Sequence, residues 1–347
     1  MSGFLTVLVI VLIFVVIFQI AKASEYVSIL KGEKKAREQS NRINGFLMIA
    51  FLVLGLLGAY YCNEVLKDKL DTVSASVQGE GIDNLIWVTL GITGFVCVVT
   101  QILLFWFAFK FQEKEGRSAF YFPHNNKLEV IWTVIPAIAL TILVAFGLKH
   151  WFTITADAPK EAMVVEVTGK QFNWLVRYPG KDAQLGSKKF KYISDVENNP
   201  VGQDWADDYN KDDFMASEIH LVVNKPVKFI IGSRDVIHDV GLPQFRMKMD
   251  AVPGIPTTLW ITPKYTTAEK KQMTGNPDYT YELSCDQMCG AGHFSMRAVI
   301  VVETQKEFDE WAAKQKSQYE LAHTSATPAA APATADSTAN KAVAMAK

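Results

Sequence analysis

The amino-acid sequence predicts a membrane-anchored α + β protein, in which N-terminal transmembrane helices precede an antiparallel β-sandwich or Greek-key domain. Two observations carry this prediction. Hydrophobic residues make up 49% of the 347-residue chain, and their excess lies in the first 150 residues. From about Met163 the sequence changes to short runs separated by turn-forming residues, which is typical of β-strands. The net charge of −1 gives no sign of a nucleic-acid partner, and none is expected.

Four apolar stretches in the N-terminal half approach or exceed the ~20 residues that a helix needs to cross a bilayer. They are residues 4–20, 43–61, 85–109 and 130–148. The first stretch is short, and Ala21-Lys22-Ala23 after it resembles a signal-peptidase site. A secretory signal, however, requires Lys or Arg before its apolar stretch, and none precedes this one. We therefore expect four transmembrane helices, or three if the first segment is cleaved.

Charged residues in the loops orient these helices. Lys and Arg are concentrated between the first and second stretches and between the third and fourth, whereas the middle loop carries mainly acidic residues. By the positive-inside rule the first and third loops are cytoplasmic and the middle loop lies outside. The part of the chain that follows residue 150 is therefore predicted to be extracytoplasmic.

Composition divides the chain into five segments. These are two N-terminal hydrophobic helices (1–62), an extracytoplasmic loop (63–84), a transmembrane helix hairpin (85–150), an extracytoplasmic β-rich domain (151–321) and an Ala/Thr/Pro-rich tail (322–347). The β-rich domain holds six predicted strands, at 163–167, 220–223, 227–231, 258–261, 279–283 and 297–302. It also holds an acid-rich polar insertion at about 181–216 and an amphipathic helix at 306–321. The tail has few large apolar residues to bury, so we expect it to be disordered.

A cluster of metal-binding residue types lies between the last two predicted strands. Cys285, Cys289, His293 and Met296 place two thiols, an imidazole and a thioether within twelve residues. Thiolate and thioether ligands are soft and suit copper, and imidazole suits copper as well. A disulfide between the two cysteines is the alternative, but it leaves the imidazole and thioether unexplained. Zinc is less consistent with the sequence, because its sites do not use Met.

The spacing Cys-x3-Cys-x3-His-x2-Met resembles the binuclear copper (CuA) loop of cytochrome c oxidase subunit II. Upstream, the segments 233–238 and 248–254 resemble the family's loop that carries a further histidine, which is His238 here. The resemblance covers about residues 85–303 and implies that the β-rich domain is cupredoxin-like. The first two helices are additional to it.

The resemblance implies a ligand set and a function. Cys285 and Cys289 would bridge two copper ions as thiolates. His238 and Met296 would complete the shell of one copper, and His293 and the backbone carbonyl of Gln287 that of the other. The subunit would accept electrons from a cytochrome c-type donor. It would pass them to the haem-copper centre of subunit I, where oxygen reduction is coupled to proton translocation.

This chain departs from the family's commonest pattern near the site. Gln287 stands where a Glu usually helps to hold magnesium at the boundary with subunit I, which puts a magnesium ion in doubt. In the run from Gly169 to Trp174, Phe172 replaces the tryptophan that accepts electrons, so Phe172 and Trp174 are the candidates for that role. Acids in and near the insertion form either a docking face for a basic donor or a solvated surface: Asp204, Asp207, Asp208, Asp212, Asp213 and Asp235.

Glu129 is the candidate for proton uptake. It lies at the predicted cytoplasmic end of the fourth helix, where the family has an acid at the mouth of a proton path in subunit I. The alternative is a favourable charge at a helix N-terminus. The expected partners are subunit I and other oxidase subunits, a cytochrome c-type donor and the lipid bilayer. The expected location is a bacterial inner membrane, with the C-terminal domain in the periplasm.

Two other classes of protein remain as alternatives. A purely structural subunit of the quinol-oxidase type would lack the two thiols, which are present here. A copper chaperone or sensor would favour a site for one metal ion. It would have no need for the Glu129-x-x-Trp132 pattern in the fourth helix.

Overall fold

Four long helices form the N-terminal part of the structure, a computed structural model that describes residues 2–67, 73–114 and 116–324. They are α1 (Ser2–Lys31), α2 (Glu33–Leu66), α3 (Val77–Lys110) and α4 (Asn126–Thr155). Each helix is long and apolar enough to cross a membrane. The prediction of N-terminal membrane helices is thus confirmed, with a first helix present as a regular element.

The helices extend well beyond the apolar stretches. The start of α2 at Glu33 adds ten mostly polar residues, and α3 begins at Val77. The segment 63–84, predicted to be a loop, therefore contains the end of α2 and the first turns of α3. Polar side chains on a helix end can remain in water while the backbone continues its hydrogen bonds, so apolar length underestimates helix length. Gly32, with φ 81°, separates α1 from α2.

Among the described residues, the β-rich unit comprises Val73–Asp83 and the chain from Gly147 to Thr324. Its strands are β1 (Met163–Lys170), β2 (Asn173–Tyr178), β3 (Phe214–Ala216), β4 (Ile219–Val222), β5 (Val227–Ser233), β6 (His238–Leu242), β7 (Met247–Ala251), β8 (Thr257–Ile261), β9 (Tyr281–Cys285) and β10 (Arg297–Glu303). They form two five-stranded sheets in the orders β3-β2-β1-β5-β8 and β4-β10-β9-β6-β7. The predicted sandwich is confirmed.

Each sheet contains one parallel pair among strands that are otherwise antiparallel. The parallel pairs are β1 with β5 and β4 with β10. Parallel neighbours require a long crossover connection, and here the intervening chain supplies one in each case. The six predicted strands fall on β1, β4, β5, β8, β9 and β10, whereas β2, β3, β6 and β7 were not predicted.

Alternation along the central strands builds the core. In β5 the buried positions are Val227, Phe229 and Ile231, and in β9 they are Tyr281, Leu283 and Cys285. Side chains of a strand point alternately to its two faces, so the first, third and fifth residues of β9 share the inward face. Cys285 is therefore the last inward position of β9, which places its thiol at the end of the core.

The insertion at 181–216 is folded against a buried arginine rather than forming a solvated loop. Arg177 is 1% exposed, and its guanidinium donates to Glu166 (3.0 Å), Asp213 (3.0 Å from Nε) and Asn210 (2.7 Å). A further bond of 2.7 Å reaches the carbonyl of Gly186. A buried charge is tolerated only when such partners surround it, so this network fixes both ends of the insertion on β2.

The predicted amphipathic helix at 306–321 is two helices, α6 (Gln305–Ala312) and α7 (Gln318–Thr324); α5 (Thr267–Thr274) precedes them. The helical structure is interrupted between α6 and α7, where Gln318 binds the insertion. Its amide N–H donates to the carbonyl of Asp213 (2.8 Å), and its side chain donates to that of Asn198 (2.6 Å). Residues 322–324 of the predicted tail belong to α7, and the rest of the tail lies outside the described residues.

Candidate metal centre

The loop between β9 and β10 carries four of the predicted ligands. At its neck, where the loop leaves β9 and enters β10, the amide of Cys285 donates to the carbonyl of Met296 (3.1 Å). Within the loop, Gly290 adopts φ 132°, a conformation that favours glycine. A 3-10 turn over His293–Ser295 then returns the chain to β10. Residues distant along the loop are thus folded back over the end of β9.

His238 reaches the loop from β6, the neighbour of β9 in the sheet. Val240 lies opposite Cys285 in the ladder, and His238 shares its face because it is two residues away. The imidazole therefore projects beyond the end of β9. Its Nδ1 lies 3.8 Å from the Sγ of Cys285.

The six predicted donors form one connected cluster of close contacts. The Sγ of Cys289 lies 3.8 Å from that of Cys285, 3.8 Å from Nδ1 of His293 and 3.9 Å from Sδ of Met296. The carbonyl oxygen of Gln287 lies 3.2 Å from the Sγ of Cys285. His238, Cys285 and Cys289 offer ligand atoms that all lie within 4.8 Å of one another.

The chemistry of this pocket fits a soft metal ion. His238 and Met296 are fully buried, and both thiols are nearly so. Burial, with a smaller effect of Cys285, raises the pKa of the Cys289 thiol to about 11. A thiolate pair here therefore requires a cation to balance its charge. The sulfurs are far beyond the ~2.05 Å of a disulfide, so the disulfide alternative does not describe this structure.

Asp235 orients His238, a role that sequence reasoning missed. One of its carboxylate oxygens accepts from Nε2 of His238 (2.8 Å), and the other accepts from the amide of Gln171 (2.7 Å). The Gln171 side chain in turn donates to the carbonyl of Cys289 (2.7 Å). Such bonds fix the tautomer and direction of a ligating imidazole. The signal available in the sequence was an acid three residues before the histidine.

The two aromatic candidates occupy different environments. Trp174 is only 6% exposed, and its ring meets that of His238 edge to face at 5.9 Å between centroids. Phe172 is 39% exposed. It lies over the loop between β9 and β10, the metal loop, where a Cβ added to Gly292 would lie 2.5 Å from the Phe172 ring. Phe172 thus faces solvent, whereas Trp174 packs behind a candidate ligand.

Close backbone approach explains a glycine of the same segment. A Cβ added at Gly169 would lie 2.6 Å from Cδ2 of His238. Since real carbon–carbon contacts lie near 3.5–4.0 Å, a side chain at this position would displace the imidazole. Gly169 therefore contributes to the site because its lack of a side chain leaves room for the imidazole of His238.

The six acids proposed for a docking face occupy different environments. Asp213 is buried on Arg177, which rules out contact with a donor. The others are also engaged within the chain: Asp204 with Lys189, Asp207 with the amides of Ser187 and Tyr209, Asp208 with Lys211, Asp212 with the amides of Lys181 and Asp182, and Asp235 with His238. Sequence alone could not separate these structural acids from free ones, since burial depends on tertiary contacts.

A buried carboxyl lies directly behind His238. Asp239 pairs with Asp250 across β6 and β7 and is 2% exposed. Burial raises its pKa to about 7, and the carboxylate of Asp250 adds to the shift. Glu129, by contrast, lies exposed in the first turn of α4, outside the β-rich unit.

Two family models match the chain. Their descriptions are "Cytochrome C oxidase subunit II, transmembrane domain", over residues 67–149, and "Cytochrome C oxidase subunit II, periplasmic domain", over residues 163–304. The first match starts after α2, so α1 and α2 precede the matched region. The second contains every candidate ligand.

Individual proteins are similar over much of the chain. An "Alternative cytochrome c oxidase subunit 2" of Bradyrhizobium diazoefficiens is 37% identical over 238 residues, which cover 68% of this chain and 80% of that protein. The "Cytochrome c oxidase subunit 2" of Cereibacter sphaeroides is 28% identical over 266 residues, covering 74% and 84%. A crystal structure of the periplasmic domain of subunit II of cytochrome oxidase of Bradyrhizobium japonicum is 24% identical and covers 46% of this chain and 98% of that one, with a TM-score of 0.32.

Proposed function

The chain belongs to the cytochrome c oxidase subunit II family, and from that premise we propose that its C-terminal domain binds two copper ions and accepts electrons from a cytochrome c-type donor. The observation that carries the proposal is the convergence of two thiols, two imidazoles, a thioether and a carbonyl on one pocket. Soft sulfur donors with imidazole favour copper over magnesium, calcium or manganese. The haem-copper centre that receives the electrons would belong to subunit I.

Each residue would have a defined role around the metal. Cys285 and Cys289 would bridge two ions as thiolates. His238 and Met296 would serve one ion, and His293 and the Gln287 carbonyl the other. Bound copper supplies one-electron redox chemistry. The protein's own contribution is a water-poor pocket whose ligands are held by Asp235, Gln171 and the hydrogen-bonded neck of the loop.

Copper analysis of the full-length chain in the assembled oxidase tests this proposal. Beyond the copper of the subunit I centre, we expect two coppers per chain and an electron spin shared between those two. Cys289→Ser should abolish both, because a hard hydroxyl cannot replace a bridging thiolate. Cys97→Ser, which changes an exposed thiol on α3, should leave them intact. A single copper per chain beyond that of subunit I, or zinc alone in this chain, would contradict the proposal.

We further propose that donors deliver electrons over Phe172. Its exposed ring lies on the metal loop, and the loop also presents the apolar side chains of Met288 and Phe294, which are 76% and 81% exposed. Exposed aromatic and Met side chains make adaptable contact surfaces. Trp174 would then support His238 instead of touching the donor.

Proton uptake at Glu129 remains our proposal for the membrane part. The carboxyl lies in the first turn of α4, where Asn125 caps the helix by accepting from the amide of Leu128 (3.2 Å). Because Asn125 already satisfies that helix end, an additional carboxylate is not needed as a cap. Gln287 has a neutral side chain where magnesium prefers a carboxylate, so we propose no magnesium role for it. The oxidase would lie in a bacterial inner membrane, with the copper domain in the periplasm.

A further inference from the structure

The insertion at 181–216 reaches the metal centre through one carboxylate. Asp195 accepts two bonds from the guanidinium of Arg234, of 2.6 and 2.9 Å, which engage both carboxylate oxygens. It also accepts from the ammonium of Lys170 at 2.9 Å. Paired bonds between a guanidinium and a carboxylate are both strong and directional. The contacts therefore specify the positions of Lys170 and Arg234, and not merely their charge.

These two cations are chain neighbours of the residues that hold the site. Lys170 precedes Gln171, whose side chain donates to the Cys289 carbonyl, and Arg234 precedes Asp235, which accepts from His238. The ends of β1 and β5 are joined directly as well, since the amide of Arg234 donates to the carbonyl of Gly169 (2.9 Å). One carboxylate thus ties together the two segments that hold His238 and the backbone of Cys289.

Asp195 is itself held in place. The flanking Ser194 exchanges two backbone hydrogen bonds with Asn199, of 3.0 and 2.8 Å, which closes a short turn around it. The buried side chain of Asn199 accepts from the amide of Gln203 (2.8 Å). Hydrogen bonds from Arg234, followed by those from Lys170, hold the pKa of Asp195 well below its usual range. The carboxylate is therefore ionised and fixed at neutral pH.

We propose that Asp195 is a positioning residue for the copper centre: by clamping Lys170 and Arg234, it holds Gln171 and Asp235 where they orient the Cys289 loop and His238. The inference rests on the proposed function for its metal, but the clamp itself is a property of the protein. It assigns the insertion, predicted to be a docking face or a solvated surface, the role of a support for the ligand loops.

The test compares Asp195→Asn with Asp208→Asn in the assembled oxidase. Asp208 is a matched control, because it forms an ion pair with Lys211 (2.6 Å) within the same insertion. Loss of an outer partner of a metal ligand costs roughly 10–100-fold in metal affinity. Since Asp195 acts one step further out, we expect copper release to a chelator to be ~10-fold faster, with an altered copper spectrum. Asp195→Glu should largely restore both, and Asp208→Asn should change neither.

Amide hydrogen exchange on the metal-free full-length chain separates the clamp from the metal. In Asp195→Asn, exchange at Gln171 and Asp235 should accelerate, and in Asp208→Asn it should not. If the wild-type chain binds no copper, the proposed function is refuted. The exchange measurement would still show whether Asp195 holds the segments that contain Gln171 and Asp235. Equal exchange and equal copper release in the two variants would overturn the inference.

Discussion

Replacement of Gly169 by alanine tests the geometry of the metal centre with a single methyl group. Gly169 lies near the end of β1, opposite Ser233 of β5. Its side-chain position points at His238, where a Cβ would lie 2.6 Å from Cδ2 and 2.9 Å from Cγ. Relief of these contacts requires the imidazole to retreat by about 1 Å, since carbon atoms approach to 3.5–4.0 Å.

The cost of Gly169→Ala has two parts. Overpacking of a filled site destabilises a protein by ~1–3 kcal/mol. A shift of the ring would also disturb the 2.8 Å bond between His238 and Asp235, and a displacement of about 1 Å away from Asp235 would break it. The loss of such a bond to a metal ligand weakens metal binding by roughly 10–100-fold. We expect both losses together in this variant.

Gly232→Ala is the matched control. Gly232 lies in β5, one residue from the partner of Gly169, and a Cβ added there meets nothing within 4 Å. Alanine in a strand is favoured over glycine by roughly 0.5–1 kcal/mol, so this variant should be as stable as the wild type or slightly more so. Thermal unfolding and copper competition with a chelator, both on the full-length chain, measure the two effects. Equal stability and copper affinity in the two variants would refute the reasoning.

Four further predictions concern single side chains. Met296→Leu should leave copper bound but shift its reduction potential in a potentiometric titration, because a weak thioether ligand tunes the metal; an unchanged potential would exclude Met296 as a ligand. Phe172→Ala should slow oxidation of a soluble cytochrome c without changing copper content, and an unchanged rate would place the donor elsewhere. Glu129→Gln should slow steady-state turnover while copper reduction by the donor stays normal; normal turnover across pH would leave Glu129 as a helix-end charge. Because the pKa of Asp239 is raised to about 7, the native metal-free chain keeps a proton that the unfolded chain loses above pH ~4. Its stability should therefore fall as pH rises from 4 to 7, by at most ~1.4 kcal/mol per unit, and Asp239→Asn should flatten that slope in denaturant titrations.

Trp174 and Asp213 show where reasoning from residue type reached its limit. An aromatic side chain and an acid suggested a docking surface, but the structure buries both. Trp174 packs on His238, and Asp213 pairs with Arg177. In a strand, a shift of one residue exchanges the buried and exposed faces. The burial of Trp174 therefore depended on the pairing of its strand, and that of Asp213 on its contact with Arg177, neither of which local sequence specifies.

Features that depend on neighbouring residues could be predicted from the sequence. Apolar length alone predicts the membrane helices, and four ligand residues within twelve positions identify the metal loop. The surroundings of that loop depend on the packing of the folded chain. His238, Asp235, Gln171 and Asp195 come from distant parts of the chain, and they meet because β6 pairs with β9 and the insertion folds back over the ends of β1 and β5. The reason is physical: a ligand's identity is local chemistry, but its direction is set by hydrogen bonds that form only after the two sheets have packed.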